Sequence, residues 1–132
     1  MTPVNPPSLG KPVGYAHGTL AGKLLFIAGQ VGARPVKDGA LELAAPDLAG
    51  QFDAALGNVL EVVRAAGGQP GDLAEMTIFV TDLEAYRRAR PAIGEAWRRR
   101  LGKHYPAITL VEVAGLYEPG SLVEIRATAS LE

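Results

Sequence analysis

The strongest structural constraint in the sequence is a stretch from residue 47 to residue 68 in which apolar residues recur every three or four positions. Because an α-helix completes one turn in 3.6 residues, this spacing places the apolar side chains on one helical face. Asp47 can cap the first turn by accepting backbone N–H bonds, and Gly67 and Gly68 can end the helix in a left-handed turn. The apolar residues of this face are Leu48, Phe52, Leu56, Val59 and Val63.

Strand patterns stand on both sides of this helix. Residues 13–20 and 24–31 are apolar-rich and flank a short glycine-containing turn, so they predict a β-hairpin. Residues 76–81 (MTIFVT) are β-branched and aromatic and predict a single strand. Residues 108–116 and 122–131 both alternate and are separated by a Pro-Gly turn, which predicts a second hairpin.

A second helix is predicted between the single strand and the last hairpin. Asp82 can cap it, and Trp97 falls on its buried side. Pro91 lacks a backbone donor and clashes with the preceding turn when it lies inside a helix. We therefore expect a short helical turn over residues 83–90 and a main helix from Pro91 to about Leu101.

The predicted order β-β-α-β-α-β-β indicates one α+β domain over residues 1–132, with a mixed sheet covered by two helices on one face. Residues 1–12 are rich in proline and are expected to form an extended segment on the surface. The uncovered sheet face is expected to be partly apolar, at Ile108 and Leu110. We therefore expect this face to be buried in a symmetric oligomer.

Composition and charge argue against several classes of function. The net charge of -1 gives no positive field to attract nucleic acid or an anionic membrane. No apolar run approaches the roughly 18 residues of a membrane span. The absence of cysteine excludes thiol nucleophiles and disulfides, and it makes a cytoplasmic location the default expectation. His17 and His104 stand alone without a paired carboxylate motif, so neither a metal nor a cofactor is predicted.

Four stretches of the sequence resemble the RidA/YjgF family. They are Gly14-Tyr15, LLFIAGQV at residues 24–31, MTIFVTDLEAY at residues 76–86, and YPAITLVEVAGL at residues 105–116 followed by VEIRATA at residues 123–129. They occur in the same order as in members of that family, and the likeness covers nearly the whole chain from about Gly14. The resemblance implies a chorismate-mutase-like fold, a homotrimer and small-molecule clefts between its subunits.

The resemblance also implies an activity and a site. Active members of the family hydrolyse imines and enamines of the 2-aminoacrylate type to 2-keto acids and ammonia, without a cofactor. By this likeness Glu124 on the last strand positions the attacking water, and Tyr15 near the N-terminus completes the catalytic pair. The resemblance also implies that backbone groups at the strand end Ala28-Gly29-Gln30 bind the ligand. His17 is a further ligand-binding candidate because it lies two residues from Tyr15, on the same strand face.

The sequence departs from the family pattern at four pocket positions. The arginine that grips the substrate carboxylate in active members is Ile108 here, and a following cysteine is Leu110. The serine before the Gly-Gln pair is Ala28, and an asparagine that often lines the pocket aligns with Arg90. A guanidinium–carboxylate pair at about 4 Å contributes roughly 4 kcal/mol at an effective dielectric constant near 20, which isoleucine cannot replace. Arg90 is the candidate cation, and a plain surface arginine is the alternative.

Each catalytic candidate also has a purely structural interpretation. Glu124 could pair with Arg126 or with a charge on a neighbouring subunit, and the ring of Tyr15 could simply pack against the first hairpin. A lone histidine on a strand, such as His17, is more often a polar contact than a catalyst.

Three classes of function follow from these residues. The first is an enzyme that hydrolyses a C=N bond with water activated by Glu124. The second is a binding or regulatory trimer that keeps the clefts without the chemistry. Retention of Glu124 and Tyr15 favours the first class, whereas the apolar Ile108 and Leu110 favour the second. The third class, an endoribonuclease or protein-interaction module, has little support because the chain lacks an aromatic stacking platform.

Overall fold

The computed structural model describes every residue from Met1 to Glu132 and has two helices and eight strands. Short 3-10 turns occur at Pro7–Leu9, Lys37–Gly39 and Pro70–Asp72. The strands and helices, in chain order, are β1 (Thr2–Val4), β2 (Gly18–Ala21), β3 (Leu24–Val31), β4 (Ala33–Pro35), β5 (Leu41–Leu43), α1 (Leu48–Ala65), β6 (Leu73–Val80), α2 (Leu83–Leu101), β7 (Ala107–Glu112) and β8 (Val123–Ser130).

Six of the strands form one mixed sheet in the order β1-β2-β3-β8-β6-β7, and β4 pairs with β5 separately. Only the pair β6 and β7 is parallel. The predicted α+β architecture, a mixed sheet with two helices on one face, is confirmed. The alternating residues of β8 that face the helices are fully buried and lie at the centre of the core; they are Val123, Ile125, Ala127 and Ala129.

The predicted pairing of the last two strands in a hairpin is wrong. β7 pairs with β6 alone, whereas β8 lies between β3 and β6, so β6 separates the two strands. Ten residues, 113–122, connect β7 to β8 by crossing the end of β6. A connection of this length does not impose a hairpin, because only a loop of a few residues forces neighbouring strands to pair.

The first hairpin is confirmed, although β2 begins at Gly18 rather than at residue 13. Gly22 has a φ of 61° in the turn between β2 and β3, a conformation that glycine adopts without strain. The expectation that residues 1–12 only extend over the surface is incomplete. Residues Thr2 to Val4 form the edge strand β1, which pairs antiparallel to β2 with Val4 opposite Gly18.

The helices differ from prediction at one point. α1 is confirmed, with the side chain of Asp47 accepting a hydrogen bond from the backbone of Gly50. α2 is a single helix that continues through Pro91, so the predicted break at this proline is wrong. Pro91 is exposed, and water can satisfy the carbonyl left without a partner on the solvent side. No helix of the fold combines the length and apolar composition needed to cross a bilayer.

The apolar residues of the uncovered sheet face are not the ones predicted. Ile108 pairs in register with Met76, and Leu110 pairs with Ile78. Because paired residues point to the same side of a sheet, Ile108 and Leu110 lie on the helix side, at the edge that the helices leave uncovered. The large apolar side chains on the uncovered face are instead Leu24, Phe26, Val31, Phe79 and Val111.

Candidate functional site

Glu124 lies in β8 on the uncovered face of the sheet. It stands in register between Val31 of β3 and Phe79 of β6, so its immediate neighbours across the sheet are apolar. Its carboxyl group has no hydrogen-bonding or ionic partner within the chain, and burial raises the pKa of this group above 4.5. An unpaired carboxyl group with a raised pKa is suited to accept a proton from water.

The structural interpretation in which Glu124 pairs with Arg126 is wrong. Arg126 lies two residues along β8 on the same face, but its Nη1 atom is 3.4 Å from each carboxylate oxygen of Glu75. Glu75 lies in β6 on the side of Arg126 away from Glu124, opposite Thr128. The nearest cation on this face is therefore neutralised by another carboxylate.

Gly29 makes room for the Glu124 carboxyl group. The Oε2 atom of Glu124 is 2.5 Å from the position that a Cβ atom of residue 29 would occupy. The register between β3 and β8 shifts by one residue between Ile27 and Gln30, which makes Ala28 and Gly29 a β-bulge. The bulge and the missing side chain together allow the carboxyl group to lie against the backbone of β3.

The backbone groups of Ala28 are engaged within the chain. Its N–H donates to the carbonyl oxygen of His17 at 2.8 Å, and its carbonyl accepts from the Gln30 side-chain amide at 3.3 Å. Ala28 therefore holds the bulge in place, and Gly29 is the residue of the bulge that contacts Glu124.

A small cavity of about 70 Å³ opens beside Gly29. Three of the predicted site residues, Tyr15, His17 and Gln30, line it with polar groups. The other lining residues are not among those predicted from the sequence. These residues are Leu9, Val31, Ala33, Leu41 and Asn58.

His17 has a structural role in this cavity. It is only 5% exposed, and its Nε2 lies 3.1 Å from the carbonyl oxygen of Gly10. Because a carbonyl can only accept, Nε2 carries the proton, and Nδ1 accepts from the side-chain amide of Gln30 at 3.4 Å. The backbone N–H of His17 also donates to Asn5 at 2.8 Å. His17 therefore joins the N-terminal segment to the end of β3.

Tyr15 stands in front of His17 with its hydroxyl group available. The two rings meet edge to face with centroids 5.5 Å apart, which fixes the direction of the phenol ring. Tyr15 is 58% exposed, and its hydroxyl makes no hydrogen bond within the chain. It is therefore positioned to donate a hydrogen bond to a ligand beside Gly29.

Asn58 is a site residue that the helical pattern could have indicated, because it is a polar residue on the side of α1 that faces the sheet. Its amide group donates to the carbonyl oxygens of Val31 at 3.0 Å and of Ala33 at 2.9 Å. These bonds fix the chain where it leaves β3. Leu41 carries no such signal in the sequence, because it lies outside the predicted strands and helices.

The other predicted ligand-binding residues lie away from Glu124 within one chain. Ile108 lies two strands away from Glu124 in the sheet and is displaced from it by three residues along the strand direction. These offsets correspond to a separation of about 14 Å between the two backbone positions, and the Ile108 side chain points to the opposite face of the sheet. Leu110 shares that side. Arg90 is exposed on α2 beside Tyr86. Burial raises the pKa of the Tyr86 phenol, and the positive charge of Arg90 partly opposes this rise. One chain thus carries two separate groups of predicted site residues.

A second groove, of about 300 Å³, lies on the helix side. It includes Arg34, Arg64 and Arg100 but none of the predicted site residues. Nowhere in the chain do three His, Asp or Glu side chains come together in an arrangement that could hold a metal ion.

Comparison with known proteins gives consistent matches over most of the chain. The family model described as endoribonuclease L-PSP matches residues 8–131. A 2-iminobutanoate/2-iminopropanoate deaminase of Salmonella typhimurium strain LT2 is 35% identical over 115 residues, which cover 87% of this chain and 85% of that protein. The RutC family protein PH0854 of Pyrococcus horikoshii is 31% identical over 123 residues, 92% of this chain and 91% of that protein. The crystal structure of Escherichia coli TdcF with bound serine superposes with a TM-score of 0.77 at 32% identity, covering 100% of this chain and 97% of that chain.

Proposed function

The chain belongs to the endoribonuclease L-PSP family, also called the RidA/YjgF family, and from this premise we propose that it is a homotrimer that hydrolyses an imine or enamine of a small metabolite. One observation carries the proposal above all others. The carboxyl group of Glu124 lies unpaired and half-buried against Gly29, and Gly29 lines a cavity together with Tyr15.

The separation of the two groups of predicted site residues supports the trimer. The uncovered sheet face exposes Leu24 and Phe26, and a large apolar surface of this kind is typical of an interface. If copies of the chain cover this face, the β7 edge of one subunit can approach Glu124 of the next. Ile108, Leu110 and Arg90 would then complete a cleft that one chain leaves open.

The proposed reaction is addition of water to a C=N bond. The carboxylate of Glu124 accepts a proton from water while the water oxygen bonds to the imine carbon. The proton then passes to the nitrogen. The carboxylate next takes the proton of the newly added hydroxyl group and transfers it to the nitrogen as well, so that the C–N bond breaks, a C=O bond forms and ammonia leaves. The hydroxyl of Tyr15 can hold the oxygen of the tetrahedral intermediate. A positioned general base of this kind contributes about 10²- to 10⁴-fold to the rate.

Ammonia release tests the proposal directly. Imines are generated in the assay by an amine or amino acid oxidase, and their hydrolysis is compared for the natural chain and Glu124→Gln. Glu95→Gln, an exposed substitution on α2, is the matched control. We expect about 100-fold or greater loss for Glu124→Gln and no change for the control. Full activity of Glu124→Gln, or no turnover of any imine, would contradict the proposal.

A second candidate function is a binding or regulatory trimer without turnover. It is favoured by Ile108 at the position of the family's carboxylate-binding arginine, because the cleft then lacks the residue that orients a substrate acid. In this case no imine would release ammonia faster with the protein than without it, and a metabolite would remain bound on purification.

Cleavage of RNA has less support. Two of the three arginines at the end of α2 are engaged by Asp53, since Arg99 lies 3.5 Å and Arg100 lies 2.8 Å from its carboxylate. The hydrogen bond from Arg100 is the main cause of the lowered pKa of Asp53. These arginines therefore stabilise the contact between α1 and α2 instead of forming an open basic surface.

A further inference from the structure

We infer that the ligand of this cleft is a protonated imine or amine on a short apolar body, with no carboxylate. The inference rests on the proposed function of the cleft, and it concerns the charge and the shape of the molecule that enters. It depends on three properties of the site: its charge, its unused hydrogen-bonding groups and its walls.

The charge of the site is negative. Neither lysine nor arginine lines the cavity beside Gly29. Glu124, whose carboxyl group lies against Gly29 of this lining, is not neutralised by a cation, and Arg126 on the same face is bound to Glu75. A ligand carboxylate here would face another carboxylate without a counterion, whereas a protonated imine would supply the missing counterion.

The hydrogen-bond donors of the cavity are almost all in use. The amide of Asn58 donates to two backbone carbonyls, and the amide of Gln30 is shared between His17 and Ala28. The N–H of the His17 ring donates to Gly10. Of the side-chain donors only the hydroxyl of Tyr15 is available, and one side-chain donor cannot replace the water lost by a buried carboxylate.

Part of the cavity wall is apolar. Leu9, Val31, Ala33 and Leu41 supply this part of the lining. A volume of about 70 Å³ holds roughly two water molecules or a short alkyl group. In the proposed trimer, Ile108 and Leu110 of the neighbouring subunit would add further apolar surface.

This ligand class defines the reaction and its source. A protonated imine, R₂C=NH₂⁺, reacts with water to give R₂C=O and NH₄⁺, and no oxidant is needed for this step. The imine itself must come from an enzyme that removes two electrons and two protons from a primary ammonium ion, R₂CH–NH₃⁺, using its own oxidant. The products of the cleft are then a simple ketone or aldehyde and ammonium.

Binding of two matched probes tests the ligand class without turnover. Isobutylammonium and isobutyrate are similar in size and opposite in charge, and their binding to the full chain is measured at pH 7.5 by NMR titration. We expect isobutylammonium to bind at least about tenfold more tightly, and Glu124→Gln to abolish that preference. Equal binding, tighter binding of isobutyrate, or no binding of either probe would overturn the inference.

Turnover of two matched imines separates the inference from the proposed function. The protonated imine of propan-2-amine and 2-iminopropionate differ by a methyl group in place of a carboxylate, and each is generated in the assay by an oxidase. We expect kcat/KM to be at least about tenfold higher for the carboxylate-free imine. Preference for 2-iminopropionate would overturn the inference and leave the proposed function standing. No turnover of either imine, with selective isobutylammonium binding, would overturn the function alone.

Arg90 provides the last arm of the test, because it is the cation that a neighbouring subunit could contribute. If the inference is correct, removing this cation in Arg90→Ala does not weaken the preference for isobutylammonium over isobutyrate. A carboxylate preference in the natural chain that disappears in Arg90→Ala would show that Arg90 binds the ligand acid, and it would contradict the inference.

Discussion

The carboxyl group of Glu124 occupies the space in which residue 29 would carry a side chain. Its Oε2, Cδ and Cγ atoms lie 2.5, 2.7 and 3.0 Å from the Cβ position of Gly29. Contacts this short exclude even a methyl group unless the carboxyl group moves. The position of the candidate base in β8 therefore depends on the bulge in β3 and on the absence of a side chain at residue 29.

Gly29→Ala should displace the base while the fold persists. We expect kcat to fall at least about tenfold, because misplacement of a reacting group by about 1 Å can lower a rate 100-fold. The displaced atoms are at the flexible end of a side chain, so the free energy of unfolding should change by about 1 kcal/mol or less. Ammonia release and thermal unfolding measure the two effects. Gly115→Ala, where an added Cβ meets open space, is the control. Unchanged activity of Gly29→Ala would disprove the arrangement.

Glu124→Gln should stabilise the protein at neutral pH. Because burial raises the pKa of Glu124, the folded state binds the proton more tightly than the unfolded state, and ionisation above pH 4.5 destabilises the fold. Glutamine does not ionise, so the variant should have the higher Tm at pH 7.5, and its advantage should shrink below pH 4.5. Thermal unfolding at the two pH values measures this difference. A lower Tm for the variant at pH 7.5 would count against the desolvated carboxylate.

Gln51 is predicted to be one of the most sensitive buried polar residues. Its amide donates to the carbonyls of Ala45 and Gly120, and its oxygen accepts from the N–H of Leu122 at 2.8 Å. Gln51→Ala would leave these three backbone groups without partners, which should lower the free energy of unfolding by about 2 to 3 kcal/mol. Denaturation in urea provides the measurement. A loss below about 0.5 kcal/mol would show that water or another side chain replaces the amide.

Phe26 tests whether the uncovered sheet face is an interface. It is 44% exposed in the single chain, and in the proposed trimer it is buried. The natural chain should have three times the 13.8 kDa mass of one subunit by light scattering, and Phe26→Asp should reduce that mass because a buried unpaired charge is strongly unfavourable. Val36→Asp, at an exposed residue just after β4, should remain trimeric. A monomeric natural chain would rule out the proposed cleft.

The sequence alone predicts those features that depend on local periodicity. The 3.6-residue spacing identifies α1, and the alternation in β8 places Glu124 on the face opposite the helices, as the structure confirms. The resemblance to the family indicates Tyr15 and Gln30, and the two-residue spacing adds His17 to the side of Tyr15; all three line one cavity in the structure.

Strand pairing depends on distant residues, and here the sequence is insufficient. In β7 both alternating sets contain apolar residues, because Ile108 and Leu110 belong to one set and Val111 to the other. The pattern therefore does not show which set faces the helices. The register with β6 decides this, and it moves Ile108 and Leu110 to the helix side. The continuation of α2 through Pro91 likewise depends on packing against α1 and the sheet, which overrides local preference.

The pH dependence of kcat/KM for ammonia release tests the role of Glu124 most directly. If the carboxylate of Glu124 accepts the proton from water, kcat/KM should rise with pH through an apparent pKa above 4.5, the direction in which burial shifts this group. Glu124→Gln should lose both the rate and this titration, whereas Glu95→Gln should keep both. A pH profile that is the same in the natural chain and in Glu124→Gln would contradict the central claim.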